Sequence, residues 1–369
     1  MYLKTVEIRD FRNIESAVLQ FSDDVNIILG KNAQGKTNLL EAIWLLSGNK
    51  SFRGAQDREF CSFGKQNFFV GGRFENEGDE FKLTLGCDTS GAKPQKKVVR
   101  GEKAYSSARA LLGAAPMSVF SPDDLELVKA GPSGRRNYCD ALLSTLFPSY
   151  AKTLSRYNRI VSQKNALLKS GAAQSELEIW NEQLAIFGAS VIKSRCELIK
   201  RLLPYAQSNF TEMTQQKEEL DVKYSCTICE DTELSEAEIK ELFLKKISEN
   251  AFKEQAAESC LYGPHRDDIE FFINGNNARQ FASQGQQRSV VLALLLSKTS
   301  LIKNHTGKTP IVLLDDVMSE LDSTRQSYLL NKIKDFQVFI TCCQDEIFEK
   351  SKNKATFIVE NGKFTKKEE

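Results

Sequence analysis

The sequence lacks any hydrophobic stretch long enough to cross a membrane. Its longest aliphatic run, Val290 to Leu296, is far shorter than the roughly 20 apolar residues that a membrane-spanning helix needs. The amino-terminal segment MYLKTVEIRD also lacks the apolar core of a secretory signal peptide. These two absences predict a cytoplasmic protein that does not associate with a membrane.

Net charge is equally scarce, because 50 Lys and Arg residues stand against 49 Asp and Glu residues and leave a formal charge of +1. No global excess of charge indicates a partner, so any nucleic-acid site must come from local clustering. The nine cysteines are odd in number and scattered, unlike those of a secreted disulfide scaffold, and the thiols are expected to be reduced. What is present is a chain of 369 residues, 41% of them hydrophobic, which suffices for one large or two modest domains.

The two ends of the chain show β-strand patterns. An apolar run from Val25 to Leu29 precedes a glycine, and the alternation of apolar and polar residues from 68 to 99 predicts an antiparallel meander. Further short apolar runs, at 311–314 and 338–341, predict strands near the carboxyl end. Both ends therefore favour an α/β domain.

The middle of the chain has a different composition. Residues 135–250 are rich in Leu, Ala, Lys, Glu and Gln, and their only prolines, Pro148 and Pro204, are expected at helix boundaries. We expect this segment to form a helical insert lobe. Residues 1–134 and 251–369 would then form one split α/β domain around it.

The octapeptide GKNAQGKT matches the phosphate-binding motif G-x-x-x-x-G-K-[ST]. It lies between an apolar strand and an amphipathic helix, which is the context that its mechanism requires. Backbone N–H groups can face phosphate oxygens, Lys36 can bridge the β and γ phosphates of ATP, and the Thr37 hydroxyl can ligate Mg²⁺. The expected nucleotide contacts are Gly30, Lys31, Asn32, Ala33, Gln34, Gly35, Lys36 and Thr37.

A second apolar run, Ile311–Leu314, ends in two aspartates and is the Walker B candidate. Asp315 would hold the Mg²⁺ shell, and Asp316 would orient or deprotonate the attacking water. The alternative is two exposed aspartates at the end of a strand. The long stretch of chain between the P-loop and Asp315 favours an ATPase split by an insert over a simple kinase or GTPase.

The segment SQGQQR opens a long predicted helix, for which Ser283 is a natural N-cap. A helix start that presents a serine hydroxyl and the Gly285 N–H can read a phosphate group. Because the chain has its own P-loop, we expect Ser283, Gly285 and Gln286 to contact the γ-phosphate bound to a second subunit. Alone, the segment could be an ordinary capped helix. With the two other motifs it matches the signature of an ABC-type ATPase, and SELD at 319–322 matches the expected D-loop.

These motifs, together with FRN at 11–13, PDDL at 122–125, GPSGRR at 131–136 and GPHRDD at 263–268, closely resemble the RecF family of bacterial recombination mediator ATPases. The likeness extends over essentially the whole chain. It implies an α/β fold: an ABC-type ATPase head, made of a P-loop sheet plus an antiparallel meander, with a helical second lobe in place of a long coiled coil.

The resemblance also implies a function. Proteins of this family would form a homodimer on binding ATP and Mg²⁺, and would bind DNA at gaps or at junctions between single and double strands. They would cooperate with RecR and RecO in loading RecA during DNA repair, replication restart and SOS induction. ATP hydrolysis would be weak, dependent on DNA, and would serve as a switch.

Two features depart from the wider ABC pattern. The second Walker B acid is Asp316, where ABC transporters usually have Glu, and the shorter side chain should hold water less well and give a slow switch. No histidine follows the strand predicted at 338–341, and Cys342 and Cys343 stand there instead. The switch role is therefore left unassigned, and the segment 121–123 is only a suggestion for the Gln-loop.

Two basic clusters are candidates for contacts with DNA phosphates, because a formal net charge of only +1 leaves local clusters as the source of positive charge. One lies in the predicted meander and the other at the entrance of the insert. The candidates are Lys96, Lys97, Arg100, Arg135 and Arg136. Such runs are also typical of an ordinary solvated surface, and that alternative stays open.

Other signals are weaker. His265 and Arg266 are expected near the nucleotide or a subunit interface, although a packed turn is the alternative. Cys226 and Cys229 have the spacing of half a zinc site, but no second pair follows, so an incidental pair is favoured. Among other functions, the ATP-binding subunit of an ABC transporter is the main alternative. The helical insert, the absent switch histidine and the unorthodox signature count against it.

Overall fold

A computed structural model describes residues 1–231, 233–343 and 354–367. The chain divides into two compact units, the first formed by Met1–Glu126 with Val291–Glu369 and the second by Leu127–Val290. The boundaries predicted from composition, at 134/135 and 250/251, remain a prediction about domains.

The strands are β1 (Tyr2–Phe11), β2 (Ile14–Gln20), β3 (Val25–Leu29), β4 (Asn67–Asn76), β5 (Asp79–Asp88), β6 (Gln95–Arg100), β7 (Lys103–Tyr105), β8 (Met117–Phe120), β9 (Leu220–Ser225), β10 (Asp268–Ile273), β11 (Asn276–Asn277), β12 (Ile311–Leu314), β13 (Val338–Cys342), β14 (Lys354–Glu360) and β15 (Lys363–Lys366). The α-helices are α1 (Lys36–Leu45), α2 (Pro122–Leu125), α3 (Pro132–Leu146), α4 (Pro148–Lys169), α5 (Gln174–Met213), α6 (Glu236–Glu249), α7 (Ala251–Ala256), α8 (Ala278–Phe281), α9 (Gln284–Thr306) and α10 (Ser323–Ile333). Short 3-10 helices occupy Asp57–Phe60, Ala108–Leu111 and Met318–Glu320.

The first unit contains an antiparallel sheet with strand order β2-β1-β4-β5-β6-β7. Side chains alternate between its faces, and the apolar residues of β1, such as Leu3, Val6 and Ile8, are fully buried. The neighbouring strands β4, β5 and β6 pair in sequence order, which confirms the predicted meander.

The second sheet of this unit has the order β15-β14-β3-β13-β12-β8, and its strands are parallel except for β15. Every residue of β12 and β13 is buried, as expected for the centre of a parallel sheet covered on both faces. Because parallel strands share a direction, the carboxyl ends of β3, β12 and β13 meet at one edge. That edge carries the P-loop, the two aspartates and residues 341–343.

The second unit combines helices α3 to α7 with a three-stranded sheet of order β11-β10-β9. The sequence analysis does not anticipate β9, although its segment LDVKYS alternates between buried and exposed residues. Pro148 occupies the first turn of α4, as predicted. The boundary predicted at Pro204 is wrong, because this proline lies inside α5, where Leu202 and Ala206 on either side are buried. Packing of the long helix outweighs the roughly 3 kcal/mol that an interior proline costs.

Candidate nucleotide site

The P-loop connects β3 to α1, and two of its residues have a left-handed backbone conformation. Ala33 has φ 66° and Gly35 has φ 114°. A Cβ on Gly35 would lie 2.7 Å from Asn13 Oδ1, and one on Gly30 would lie 2.6 Å from the Val359 carbonyl oxygen. Close approach therefore requires glycine at Gly30, and both close approach and a left-handed conformation require it at Gly35. α1 starts at the next residue, so its first N–H groups face the loop.

Lys36 is buried, with only 4% of its side chain exposed. Its Nζ donates to the carbonyl oxygen of Gly30 at 2.8 Å and lies 3.8 Å from Asp316 Oδ1. Longer contacts reach the carbonyl of Lys31 at 3.4 Å and Asn32 Oδ1 at 3.5 Å. An ammonium group held by oxygen acceptors in a cradle of N–H groups is a suitable ligand for phosphate oxygens.

Thr37 and Asp315 come together across the sheet edge. The Thr37 hydroxyl donates to Asp315 Oδ1 at 2.8 Å, and the Asp315 N–H donates to the Phe120 carbonyl at 2.8 Å. Burial raises the pKa of Asp315, and the hydrogen bonds from Thr37 and Thr341 oppose that rise. The paired hydroxyl and carboxylate are predicted from separate motifs, and the fold brings them into contact.

Thr341, at the end of β13, is a residue that the sequence analysis misses. It is fully buried, and its hydroxyl donates to Asp315 Oδ1 at 2.9 Å while accepting the N–H of Asp316 at 2.8 Å. Asp316 needs such support, because its φ of 49° is in the left-handed region, which is unfavourable for a non-glycine residue. One hydroxyl thus fixes both Walker B aspartates. The available signal was a polar residue ending a buried apolar strand.

Asp316 differs from Asp315 in its exposure. Its side chain is 33% exposed and approaches Lys36, whereas Asp315 is 4% exposed and points to Thr37. The left-handed turn at Asp316 separates the two consecutive carboxylates. Asp315 can therefore bind a cation while Asp316 contacts solvent.

The loop after β1 supports the P-loop from outside. Asn13 Nδ2 donates to the Gln34 carbonyl at 3.0 Å, and Asn38 Nδ2 donates to Asn13 Oδ1 at 2.8 Å. The neighbouring Arg12 donates through Nε to Glu41 Oε2 at 3.0 Å, and that carboxylate is fully buried on α1. These contacts tie the FRN motif to the helix that follows the P-loop.

Cys343 stands where a switch histidine would be expected. Its Sγ lies 3.2 Å from Asn32 Oδ1 and 3.4 Å from Lys36 Nζ, so the thiol touches the P-loop directly. The suggested Gln-loop segment instead starts the short helix α2, where the Ser121 N–H and hydroxyl both donate to Asp124 Oδ2. Burial raises the pKa of Asp124, and the charge of Lys298 opposes that rise.

The signature segment lies in the second unit, whereas the P-loop lies in the first. Ser283 precedes α9 and forms a reciprocal cap: its N–H donates to Gln286 Oε1 at 2.8 Å, and its hydroxyl accepts the Gln286 N–H at 3.2 Å. This confirms the predicted N-cap. Gln286 Nε2 also donates to Glu218 Oε1 at 2.6 Å. Ser283 and Gly285 are exposed or partly exposed at the helix start.

The basic residues of β6 divide between the two faces of the antiparallel sheet. Lys96 and Arg100 lie opposite Cys87 and Leu83, which are buried, so their side chains leave from the core face. Lys96 pairs with Asp57 at 2.8 Å, and Arg100 donates to the carbonyl of Ala110, in the 3-10 helix Ala108–Leu111, at 3.1 Å. Lys97 is exposed on the other face.

Arg135 and Arg136 make contacts inside the second unit. Arg135 is 3% exposed, and its guanidinium forms two hydrogen bonds, of 2.7 and 2.8 Å, with the Asp268 carboxylate and three with carbonyl groups. Arg136 is half-buried and donates to the Asp267 carbonyl at 2.7 Å. His265, also in the GPHRDD motif, lies 2.6 Å from the Tyr157 hydroxyl. These contacts match the alternative that His265 lies in a packed turn.

The donor set at the sheet edge suits magnesium. Within residues 1–231, 233–343 and 354–367, no three or more His, Cys, Asp and Glu side chains cluster to hold a metal ion. Mg²⁺ in nucleotide sites uses only one or two protein oxygens and completes its shell with water and phosphate oxygens, so Thr37 with Asp315 fits that chemistry. In the part of the chain that the structure describes, no helix has the length and apolarity of a membrane span.

A parallel P-loop sheet with an adjoining antiparallel sheet, a Walker B strand and a separate signature helix defines an ABC-type ATPase head. The model of the RecF/RecN/SMC N terminal domain family matches residues 2–366. The chain belongs to the RecF family within that group. It is 36% identical over 368 residues to the DNA replication and repair protein RecF of Clostridioides difficile (strain 630), covering 98% of this chain and 97% of that protein.

Further relatives and solved structures agree. The RecF protein of Caldanaerobacter subterraneus subsp. tengcongensis is 39% identical, covering 92% of this chain and 94% of the relative. A solved structure of the recombination mediator protein RecF-ATPrS in the RecFOR pathway superposes with a TM-score of 0.92 at 36% identity, over 99% of this chain and 98% of that one. An Smc head bound to a domain of ScpA shares the fold alone, with a TM-score of 0.57 at 15% identity, over 100% of this chain and 97% of that one.

Proposed function

We propose that the protein binds ATP with Mg²⁺ at the carboxyl edge of its parallel sheet. The observation that best supports this is the contact of 2.8 Å between the Thr37 hydroxyl and the Asp315 carboxylate, which come from two distant motifs. Thr37 and Asp315 would hold Mg²⁺, which would supply positive charge to offset that of the phosphates. Solved RecF structures described as RecF-ATPrS and RecF-ATP support the choice of nucleotide.

The individual roles follow from the contacts. Lys36 would exchange its bond to the Gly30 carbonyl for the β and γ phosphates, and the N–H groups of Lys31 to Thr37 would surround the phosphate oxygens. Asp316, close to Lys36 and reached by solvent, would orient or accept a proton from the attacking water. Its short side chain supports weak hydrolysis that acts as a switch.

ATP would also join two copies of the chain. Ser283, Gly285 and Gln286 start α9 with a serine hydroxyl and backbone N–H groups, and a second subunit's γ-phosphate is a ligand of the right charge for them. A dimer of this kind would be controlled by the presence of ATP. Hydrolysis would release it.

The dimer would act on DNA as a recombination mediator. It would bind gaps or junctions between single and double strands and cooperate with RecO and RecR in loading RecA, in the cytoplasm, during repair, replication restart and SOS induction. The similarity to the solved RecF structure, described as a recombination mediator in the RecFOR pathway, supports this role. Lys97 is the leading phosphate contact, with Lys96, Arg100 and Arg136 as further candidates. Arg135 is left out because its guanidinium already bonds to Asp268 and three carbonyls.

The decisive experiment is the mass of the protein in solution, measured by light scattering without nucleotide, with ADP and with ATP, each with Mg²⁺. We expect a monomer in the first two states and a dimer with ATP. Ser283→Arg should bind ATP at the parent affinity and remain a monomer, because the new cation blocks only the surface offered to a second subunit.

Ser235→Arg is the matched control, since Ser235 caps α6 of the same unit with the same reciprocal geometry. It should dimerise with ATP like the parent. ATP-dependent dimers of Ser283→Arg at normal affinity would refute the role of the signature segment. A parent protein that binds no ATP would refute the nucleotide site itself.

A further inference from the structure

Two motifs that the nucleotide site does not use meet in the second unit. Cys226 and Cys229 follow β9, and the GPHRDD segment precedes β10, which pairs with β9. The sulfur atoms of the two cysteines are 3.8 Å apart and share a hydrogen bond. Cys226 is partly exposed, so solvent reaches one side of this dithiol.

Thr227, between the two cysteines, links the dithiol to the GPHRDD segment. Its N–H and its hydroxyl both donate to Asp267 Oδ1 at 2.8 Å, and the same hydroxyl accepts the N–H of Gly263 at 2.8 Å. Asp267 is 1% exposed, and its other carboxylate oxygen accepts the Tyr224 hydroxyl at 2.6 Å. The loop that contains Gly263 and Asp267 is therefore held at Thr227.

Cys229 is unlike the other buried cysteines. The hydrogen bond between the two sulfur atoms lowers the pKa of Cys229 and, together with burial, raises the pKa of Cys226, so the thiolate is favoured at Cys229. Burial instead raises the pKa of Cys87 to about 11 and those of Cys139, Cys196 and Cys260 to about 12. Thiolates, not thiols, react with oxidants, so Cys229 is the more reactive sulfur of this pair.

We propose that Cys226 and Cys229 are a modification site, where a hydroperoxide forms a reversible disulfide that releases Thr227 from the GPHRDD segment. The Cys229 thiolate attacks the peroxide, gives a sulfenic acid and expels an alkoxide or hydroxide ion, which takes up a proton. The Cys226 sulfur then attacks the sulfenic sulfur and loses its proton, and water leaves. Overall, two thiols are oxidised, the peroxide is reduced, and an external thiol reverses the reaction.

The consequence for the loop is geometric. A disulfide requires the sulfur atoms to approach from 3.8 Å to about 2.05 Å. Thr227 lies inside the small ring that closes, and we expect ring closure to turn its backbone and lengthen its two bonds to Asp267. The Gly263 N–H then loses its acceptor as well. This property is independent of ATP binding.

The experiment uses the full chain, reduced and then exposed to hydrogen peroxide without denaturant. Both cysteines lie in the tryptic peptide 224–240, which should become lighter by two hydrogens and resist alkylation until dithiothreitol is added. Hydrogen exchange should report the loop: we expect amides in peptides containing Thr227 and Gly263 to exchange at least about tenfold faster after oxidation. Reduction should restore their protection.

Cys226→Ser should abolish the disulfide, and Cys343→Ser, which removes an exposed thiol outside the pair, should oxidise like the parent. Oxidation of the parent that stops at a sulfinic acid on Cys229, with no disulfide, would overturn the proposal. A disulfide that leaves the exchange of the Gly263 amide unchanged would overturn it too. Both readouts come from the parent chain, so they stand even if a variant fails to fold.

Discussion

The nucleotide edge and the GPHRDD region use charged residues in opposite ways. At the nucleotide edge, Lys36 and Asp316 lie 3.8 Å apart, beyond hydrogen-bond distance, and Asp316 remains partly exposed. In the second unit, Arg135 and Arg195 form bidentate pairs with Asp268 and Asp140 at 2.7 to 3.0 Å. Among the residues that the structure describes, Lys36 forms its hydrogen bonds with neutral acceptors and none with a carboxylate, so its charge can still bind an anionic ligand. A charge in a bidentate pair with an opposite charge indicates a structural contact, even within an equally basic motif.

The largest expected effect tests Lys36, whose charge has no carboxylate within hydrogen-bond distance in the described part of the chain. Lys36→Met should weaken ATP binding by ~1000-fold, equivalent to about 4 kcal/mol, because it removes the positive charge that would meet the phosphates. Dimerisation should disappear with it. Lys31→Met is the control, because it keeps the backbone N–H assigned to the phosphates and changes only an exposed side chain of the same loop, and it should keep nucleotide affinity close to the parent value. Calorimetric titration measures the ATP affinity of both variants. An unchanged affinity of Lys36→Met would refute the assignment of the P-loop as the nucleotide site.

The paired charge of Arg135 is tested by measuring the free energy of unfolding. Arg135→Met leaves the Asp268 carboxylate and three carbonyls without their donor, and it should lower the free energy of unfolding by about 3 kcal/mol. Arg136→Met removes the hydrogen bond to the Asp267 carbonyl and should cost about 1 kcal/mol. Urea denaturation followed by circular dichroism distinguishes them. Equal stability of Arg135→Met and the parent would show that the pair contributes nothing and that Arg135 is available to a ligand.

This contrast also explains what could be predicted from the sequence. The P-loop and the Walker B strand were predictable because each is contiguous and directly follows an apolar run. Thr341 was not, because its role depends on the pairing of β13 with β12, which only the fold provides. Arg135 and Arg136 could not be told from surface residues, since Asp267 and Asp268, which they contact, lie more than a hundred positions away.

Asp316→Asn should separate hydrolysis from binding. The amide retains the shape of the side chain and leaves Asp315 intact, so ATP should bind at near-parent affinity while single-turnover hydrolysis slows by ~100-fold. Asp316→Glu extends the carboxylate by one methylene and should hydrolyse faster than the asparagine variant. If Asp316→Asn hydrolysed ATP at the parent rate, the proton acceptor would have to be another residue.

A smaller effect is expected at the hydroxyl that fixes both aspartates. Thr341→Val keeps the shape of the side chain but removes the bonds to Asp315 and to the Asp316 N–H, and it should weaken Mg²⁺-dependent ATP affinity by ~10-fold. Thr341→Ser keeps the hydroxyl and should restore affinity. Thr356→Val, a buried threonine of β14 in the same sheet, is the control for a purely structural loss. Similar losses in Thr341→Val and Thr356→Val would contradict the positioning role.

The smallest effect concerns DNA binding. Two lysines at adjacent positions of β6 again contrast, within the residues that the structure describes, a charge without a carboxylate partner and a paired charge. Lys97 is exposed, whereas Lys96 is paired with Asp57 on the core face. Lys97→Ala should weaken binding to gapped DNA a few-fold, alike for every sequence, and reduce the salt slope by about 1, because phosphate contacts release counterions without reading bases.

Lys96→Ala should lower DNA affinity less than Lys97→Ala, since its ammonium already bonds to a carboxylate. Fluorescence anisotropy over a series of salt concentrations, with ATP and Mg²⁺ present, measures both the affinity and the slope. The reverse order of the two lysines would show that DNA binds the opposite face of the sheet and displaces Asp57. If neither variant changed the slope, the phosphate contacts would lie outside β6, with Arg136 the next candidate to replace.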